Sequence, residues 1–232
     1  MPLDLVTFPF RTIVFDLDGT LIDSARDVGE AVNRVLADHG LAPVDEATQR
    51  SLMGEGGRVR TRKAFALRGV SLDEATLGAR VRDFIRYYAE RPVVHTRPYD
   101  GVAETLAALA ASGVRLAVCT NKYEESARDV LSRLGLMATI SEVAGADTFD
   151  VRKPDPGHVL KLLARMGADP AAAAMVGDSV HDVQAGRRAG LPTVAVSWGY
   201  TETPAHRLGA DAVVERFADI PATLAGLRPR RP

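Results

Sequence analysis

The sequence predicts an α/β protein: a doubly wound parallel sheet with a helical cap inserted after the first strand. Three observations carry this expectation. An apolar run at Ile13–Phe15 ends in two acids, Asp16 and Asp18. From about Asp23 to His95 every periodic stretch is helical. From Gly101 onward, helical and strand-like patterns alternate, as they do when parallel strands are joined by helices covering both faces of a sheet. Residues 1–22 and 96–232 are therefore expected to form the α/β core, and residues 23–95 the cap.

Within the insert, SARDVGEAVNRVLADHG places Val28, Val32, Val35 and Leu36 near helical spacing. Ser24 is the expected N-cap and Gly40 the expected glycine beyond the C-terminus. A second helix fits Asp45 to Met53, and a third follows Gly54, Gly56 and Gly57. A fourth runs from about Leu72 to Glu90 with Leu77, Val81, Phe84, Ile85 and Tyr88 on one face. The turn-rich RPYDG at 97–101 marks the return to the core. There, GVAETLAALAASG, KYEESARDVLSRLG, DPGHVLKLLARMG and VHDVQAGRRAG read as helices. VRLAVCT, ISEVAGA, AAAMVGD, PTVAVS and DAVV read as strands.

Composition narrows the function. At 232 residues, 46% hydrophobic and 25% charged, the chain can build a core with a second lobe. A net charge of -1 gives no global attraction to nucleic acid or an anionic membrane, so neither is expected as a partner. Cys119 is the only cysteine, which excludes an intrachain disulfide. Five histidines with no HExxH pair argue against zinc. No stretch approaches the roughly 18 apolar residues of a membrane span. The opening MPLDLVTFPFR lacks the basic start and long apolar run of a secretion signal. A cytoplasmic monomer or homodimer is expected, with RPRRP at the end as a frayed terminus.

Right-handed crossovers bring all strand-to-helix loops to one edge of such a sheet. The first strand would deliver Asp16, Asp18 and Thr20 there, and the second Thr120 and Asn121. The loop after the third carries Lys153. The fourth supplies Gly177, Asp178, Ser179 and, one helical turn on, Asp182. Clustered carboxylates repel unless a cation compensates, and oxygen donors without His or Cys favour Mg²⁺. Lys153 adds positive charge, while Thr120 and the N–H groups near Asn121 can donate to phosphate oxygens. Such a site suits phosphoryl transfer from a small phosphorylated substrate. A carboxylate can attack phosphorus, and a carboxyl two residues on can exchange a proton with the leaving oxygen and then with water.

Several features have plainer readings. Asp178 and Asp182 also suit an N-cap and a first-turn acid, and both readings stay open. GEGGRVRTRK at 54–63 lacks the Lys-Ser/Thr end of a P-loop and follows no strand. It does open a helix, whose N-terminus favours anions, so Gly56, Gly57 and Arg58 are expected to face the cleft and read the leaving group. Cys119 is expected in the core, and Trp198 and Tyr200 as core or cleft-edge packing.

DLDGTLIDS, TN at 120–121, KPDP at 153–156 and GDSVHD at 177–182 together resemble the four motifs of haloacid dehalogenase-like phosphatases, in order and spacing over nearly the whole chain. Their Rossmann-like core carries a helical cap, which the insert resembles. Within that superfamily, DGTLIDS, GEGG, TNK, KPDP and GDS are most similar to phosphoglycolate phosphatases. The resemblance implies Asp16 as nucleophile and Asp18 as general acid/base. Thr120 would bind the phosphoryl group and Lys153 neutralise it. Mg²⁺ would be held by the Asp16 carboxylate, the Asp18 main-chain carbonyl and Asp178. Thr20, Ser179 and Asp182 would support these groups, Asp182 by orienting Asp178, a coordinated water or Lys153. Dehalogenases lack the second aspartate, so Asp18 implies phosphate ester cleavage. Rival expectations are a pyrophosphatase, nucleotidase, sugar phosphatase or sugar phosphomutase. Outside enzymes they are a phospho-receiver, which is about half as long, or an inactive phosphatase scaffold that binds a ligand.

Overall fold

The computed structural model describes residues 8–201 and 203–228. Most of RPRRP and the first seven residues of the opening segment lie outside the described residues. The first strand, β1 (Thr12–Phe15), sits centrally and is buried along its length. A short β2 (Ile22–Asp23) leads into four helices: α1 (Ala25–Ala37), α2 (Glu46–Ser51), α3 (Gly57–Ala66) and α4 (Glu74–Glu90). The chain returns through β3 (Arg97–Pro98), which pairs antiparallel with β2. It continues as α5 (Val102–Ala111), β4 (Arg115–Cys119), α6 (Glu124–Arg133), β5 (Glu142–Ala144), α7 (Pro156–Arg165), β6 (Ala173–Gly177), α8 (Val180–Arg188), β7 (Thr193–Val196), β8 (Ala212–Val214) and α9 (Ile220–Gly226).

The large sheet has the order β5-β4-β1-β6-β7-β8 and every pairing is parallel. Successive side chains of a strand face opposite sides, and the core divides accordingly. Ile13, Phe15, Leu116, Val118, Ala174 and Val176 pack on the side of α5, α6 and α9. Val14, Ala117, Cys119, Ala173 and Met175 pack on the side of α7 and α8. Strands buried on both faces explain why these runs are apolar without alternation. The order reverses beside β1, so the carboxyl ends of β1, β4 and β6 open a crevice at the switch point.

The inserted helices follow their expected faces. Leu77, Val81, Phe84 and Tyr88 are buried on α4, and Ile85 is half-buried. Asp45 and Asp73 cap α2 and α4 by accepting from Thr48 and Thr76 N–H. Gly40, at φ 66°, closes α1: its N–H reaches the Ala37 carbonyl, and Leu41 N–H reaches that of Leu36. Ser24 departs from expectation. Its hydroxyl donates to Asp18 Oδ1 (2.5 Å) and caps nothing, because Tyr200, from beyond β7, supplies the acceptor for the first α1 amides instead. The strands β2 and β3 and the helix α9 have no counterpart in the sequence reading. The first two are too short to show a period, and α9 has only seven residues, with a proline in its first turn.

Among the described residues, no helix is long and apolar enough to cross a membrane.

Candidate active site

Asp16, just past β1, is buried and stands 2.7 Å from Lys153 Nζ. The same ammonium donates to Asp182 Oδ1 at 2.6 Å. Asp178, just past β6, joins them: oxygens of Asp16, Asp178 and Asp182 lie within 4.8 Å of one another, all on buried residues. Three carboxylates against one ammonium leave two negative charges to be compensated if all are ionised. Burial is the main force raising the Asp16 carboxyl, offset by Lys153 and reinforced by Asp182, and the result is about 7. Burial, then Asp182 and Asp16, push Asp178 well above the usual carboxylate range. A divalent cation would cancel the charge excess that raises both.

The surroundings orient each acid. Asp178 Oδ1 accepts from the Thr20 hydroxyl (3.1 Å) and Oδ2 from Tyr200 N–H (2.8 Å). A side chain on Gly19 or Gly199 would collide with the Asp178 carboxylate, at 2.4 and 2.3 Å from Oδ2, so both positions demand glycine. Asp182 Oδ2 accepts from Ser179 N–H (2.9 Å) and hydroxyl (2.7 Å), forming a capping box at the start of α8. Hence Ser179, not Asp178, is the N-cap. That frees the Asp178 carboxylate for the crevice and commits Asp182 to Lys153.

Lys153 is positioned by two residues. Its N–H donates to His158 Nδ1 (3.2 Å), and its carbonyl accepts from Asn121 Nδ2 (3.2 Å). His158 Nε2 lies 3.0 Å from the Gly145 carbonyl, so the ring is neutral with its proton on Nε2. Burial, then Lys153, holds it down to about 4. His158 was not singled out from the sequence, although its position five residues after Lys153 was visible. Asn121 Nδ2 also donates to the Gly54 carbonyl (3.3 Å), linking the sheet edge to the inserted helices. Thr120 is buried and its hydroxyl accepts from Lys122 N–H (3.1 Å). Cys119 is buried in the core, where burial pushes its thiol up to about 12, too high for a nucleophile at neutral pH.

Asp18 points away from this cluster. It accepts from both the Ser24 hydroxyl and Lys122 Nζ, the latter at 3.0 Å from each carboxylate oxygen. Burial would raise its carboxyl, but Lys122, then Ser24, outweigh it and hold it below the usual range. Lys122 also lies over the Tyr88 ring, 4.5 Å from its centroid.

Asp16, Asp18, Thr120, Asn121 and Lys122 line one cleft with Gly54, Gly56, Gly57, Arg60, Phe84 and Tyr88 of the insert. Gly56 makes that approach close: a Cβ there would stand 3.0 Å from the Asn121 carbonyl. Arg58 is not in the cleft. Its guanidinium pairs with Glu74 on the exposed side, as does that of Arg62. The reason is helical phase. Gly57, Arg60, Thr61 and Ala64 form the buried face of α3, and Arg58 and Arg62 lie four apart on the outer one. Arg60 is the basic residue that faces inward. It is 7% exposed, donates from Nε to the Leu52 carbonyl (3.4 Å), and its terminal nitrogens have no hydrogen-bond partner among the described residues. Around Asp18, two cations therefore face one anion. The cleft is electrically split, with excess negative charge at Asp16 and excess positive charge at Arg60 and Lys122. Arg60 and Lys122 were missed individually. Only the helix phase of α3 pointed to the first.

Residues 13–196 match the family model described as haloacid dehalogenase-like hydrolase. The phosphoglycolate phosphatase of Agrobacterium fabrum is 42% identical over 211 residues, covering 91% of each chain. The N-acetylmuramic acid 6-phosphate phosphatase of Pseudomonas aeruginosa is 36% identical over 208 residues, covering 88% of this chain and 90% of that one. A crystal structure of a predicted phosphoglycolate phosphatase from Haemophilus somnus superposes with a TM-score of 0.86 at 33% identity, over 93% of this chain and 98% of the other. With its crevice acids just past β1 and β6 and its match over nearly the whole length, the chain belongs to the haloacid dehalogenase-like hydrolases.

Proposed function

We propose that this chain is a Mg²⁺-dependent phosphatase of a small phosphomonoester, first 2-phosphoglycolate, working through an aspartyl-phosphate on Asp16 as a cytoplasmic monomer or homodimer. The observation that carries the reading is a charge split: Asp16 lines the cleft with Lys153, Asp178 and Asp182 gathered around it, and Arg60 and Lys122 line the same cleft with excess positive charge. A substrate with phosphate at one end and a carboxylate on its leaving group matches both ends. The names of relatives such as the Agrobacterium fabrum enzyme support the same substrate.

The donor set fits Mg²⁺: oxygen atoms only, two negative charges in excess, and no nitrogen or sulfur ligand in the cluster. Held by Asp16, Asp178 and the Asp18 main-chain carbonyl, Mg²⁺ would neutralise charge on the phosphoryl oxygens. Lys153 and the Thr120 hydroxyl would hold those oxygens in line with Asp16. An Asp16 oxygen attacks phosphorus as the bond to the leaving oxygen breaks, and Asp18 gives that oxygen its proton. Asp18 then takes a proton from water, whose oxygen attacks phosphorus. The Asp16–phosphorus bond breaks and inorganic phosphate departs. For Asp18 to carry a proton, Lys122 must turn to another anion, and a leaving-group carboxylate beside Arg60 offers one.

Gly54, Gly56, Gly57, Arg60, Phe84 and Tyr88 wall the cleft, which supports reading residues 23–95 as a cap over the core of residues 1–22 and 96–232, opening for substrate and closing to exclude water. The test compares kcat/KM for 2-phosphoglycolate and ethyl phosphate, with and without Mg²⁺, in the wild type and Arg60→Met. We expect Arg60→Met to raise KM for phosphoglycolate by at least tenfold and to leave ethyl phosphate within about threefold. Equal effects on the two esters would remove the carboxylate from the reading.

A further inference from the structure

Tyr200 touches both the sheet-edge acids and the root of the inserted helices. Its main-chain N–H donates to Asp178 Oδ2 (2.8 Å). Its hydroxyl donates to Asp23 Oδ1 (2.8 Å) and accepts from the N–H groups of Ser24 (2.7 Å) and Ala25 (3.2 Å). Asp23 in turn holds Arg50 of α2 at 3.0 Å, and the Arg50 guanidinium lies 5.0 Å from the centroid of the Tyr200 ring. Two residues earlier, the Trp198 indole N–H donates to the Thr20 carbonyl (3.3 Å), and the Thr20 hydroxyl donates to the other oxygen of Asp178. Segment 198–200 thus bears on both oxygens of Asp178, directly and through Thr20.

The same segment decides how α1 begins. Ser24 occupies the N-cap position, yet its hydroxyl is given to Asp18. The first amides of α1 depend on the Tyr200 hydroxyl, and Ala25 N–H also reaches Asp23 Oδ1 (3.3 Å). At the root the Tyr200 hydrogen bonds run through its side chain, and at Asp178 through its main-chain N–H. A buried aromatic residue with two side-chain torsions has little freedom to absorb movement at either end.

We propose that Tyr200 is a positioning residue, a strut that makes the orientation of the Asp178 carboxylate and the seating of the α1–α2 root one equilibrium. The proposal rests on reading Asp178 as a metal ligand. Such coupling is reciprocal: what orders one end must order the other. It requires an element with two arrangements, and the two-residue pairing of β2 with β3 at the root is short enough to open and close.

The test is amide hydrogen exchange of the full-length protein, read on segments 22–27 and 197–201, with and without Mg²⁺. Tyr200→Phe keeps the ring and the N–H bonded to Asp178 and removes only the links to the root. Arg50→Met touches neither Asp178 nor Thr20, and it keeps the test open should Tyr200→Phe fold poorly. Both variants are expected to speed exchange at 197–201 at least about fivefold, the lower end of coupling between linked sites. Mg²⁺ is expected to slow exchange at Ser24 and Ala25 in the wild type and much less in Tyr200→Phe. Trp198, the only tryptophan, adds an emission titration in which Arg50→Met weakens Mg²⁺ binding by a similar factor. If 22–27 alone exchanges faster while 197–201 stays within twofold of wild type in both variants, Tyr200 is a helix cap and the strut is refuted. If Mg²⁺ changes nothing in the wild type, the metal reading fails, and the Arg50→Met exchange at 197–201 still decides the strut.

Discussion

Replacing Lys153 by methionine keeps most of the stem and removes the ammonium that stands 2.7 Å from Asp16 and 2.6 Å from Asp182. At an effective dielectric constant near 20, each contact represents about 6 kcal/mol of gross attraction. Desolvation of the buried charges cancels much of that, and breaking a buried pair costs about 3–5 kcal/mol net. For a chain of this length, about 2–4 °C per kcal/mol gives a fall in Tm of about 6–20 °C in metal-free protein. The pH dependence has a definite sign. Lys153 is the main group lowering the Asp16 carboxyl, which still stands at about 7. Without it, the folded-state value rises further above the unfolded one. The folded variant then binds more protons than the unfolded chain, so its stability falls as pH rises through the folded value. Melts at pH 5.5 and pH 8 should therefore show the larger gap from wild type at pH 8, and Mg²⁺ should narrow it. Phosphate release at pH 7 should drop by roughly 100- to 1000-fold, as when a donor to the transition state is lost. A Tm within about 2 °C of wild type, or a gap that widens on acidification, would refute the reasoning.

Three further outcomes follow from single residues. His158, held down to about 4 from 6.5, binds fewer protons folded than unfolded, so its contribution is lost as pH falls from 6.5 toward 4. That loss approaches about 3 kcal/mol, and urea unfolding of His158→Gln should lack that part of the slope. Gly199→Ala would press a methyl group against Asp178, 2.1 Å from its Cβ. It should weaken Mg²⁺ binding by calorimetry at least tenfold, whereas Gly226→Ala, with nothing within 4 Å, should leave affinity unchanged. Asp27 accepts from Val94, His95 and Thr96 N–H and from the Thr96 hydroxyl, fixing the return linker. Asp27→Asn turns a donor toward them and should cost about 1–3 kcal/mol by chemical denaturation.

The cluster of Asp27, Glu30 and His95 also brings three potential metal ligands together. The donors already on Asp27 account for its burial, so the cluster reads as a linker clamp.

Much of the molecule was legible because its signals are local. An apolar run ending in acids, a helix-strand alternation and the order of DLDGT, TN, KP and GDS place the crevice at β1, β4 and β6 without any coordinates. Asp16, Thr120, Lys153 and Asp178 each stand at a predictable edge, and burial of Cys119 follows from its place within a strand. Other features lie in relations between distant segments. Arg58 and Arg60 are two residues apart, and adjacency to the glycines favours the first. Only the packing of α3 against α4 turns the second inward. Ser24 has the ideal composition for an N-cap, but the nearness of Asp18 gives its hydroxyl a stronger, charged acceptor, and a tyrosine 176 residues away takes over the cap. By itself, the sequence determined the sheet, the insert and the acids of the crevice, since periodicity and motif order survive without knowing who touches whom. The tertiary structure alone decided which charges pair, Lys153 with Asp16 and Asp182 and Lys122 with Asp18, and that Tyr200 bonds both Asp23 and Asp178. Such pairing depends on distances across the fold, where a few ångströms decide whether a buried charge is compensated.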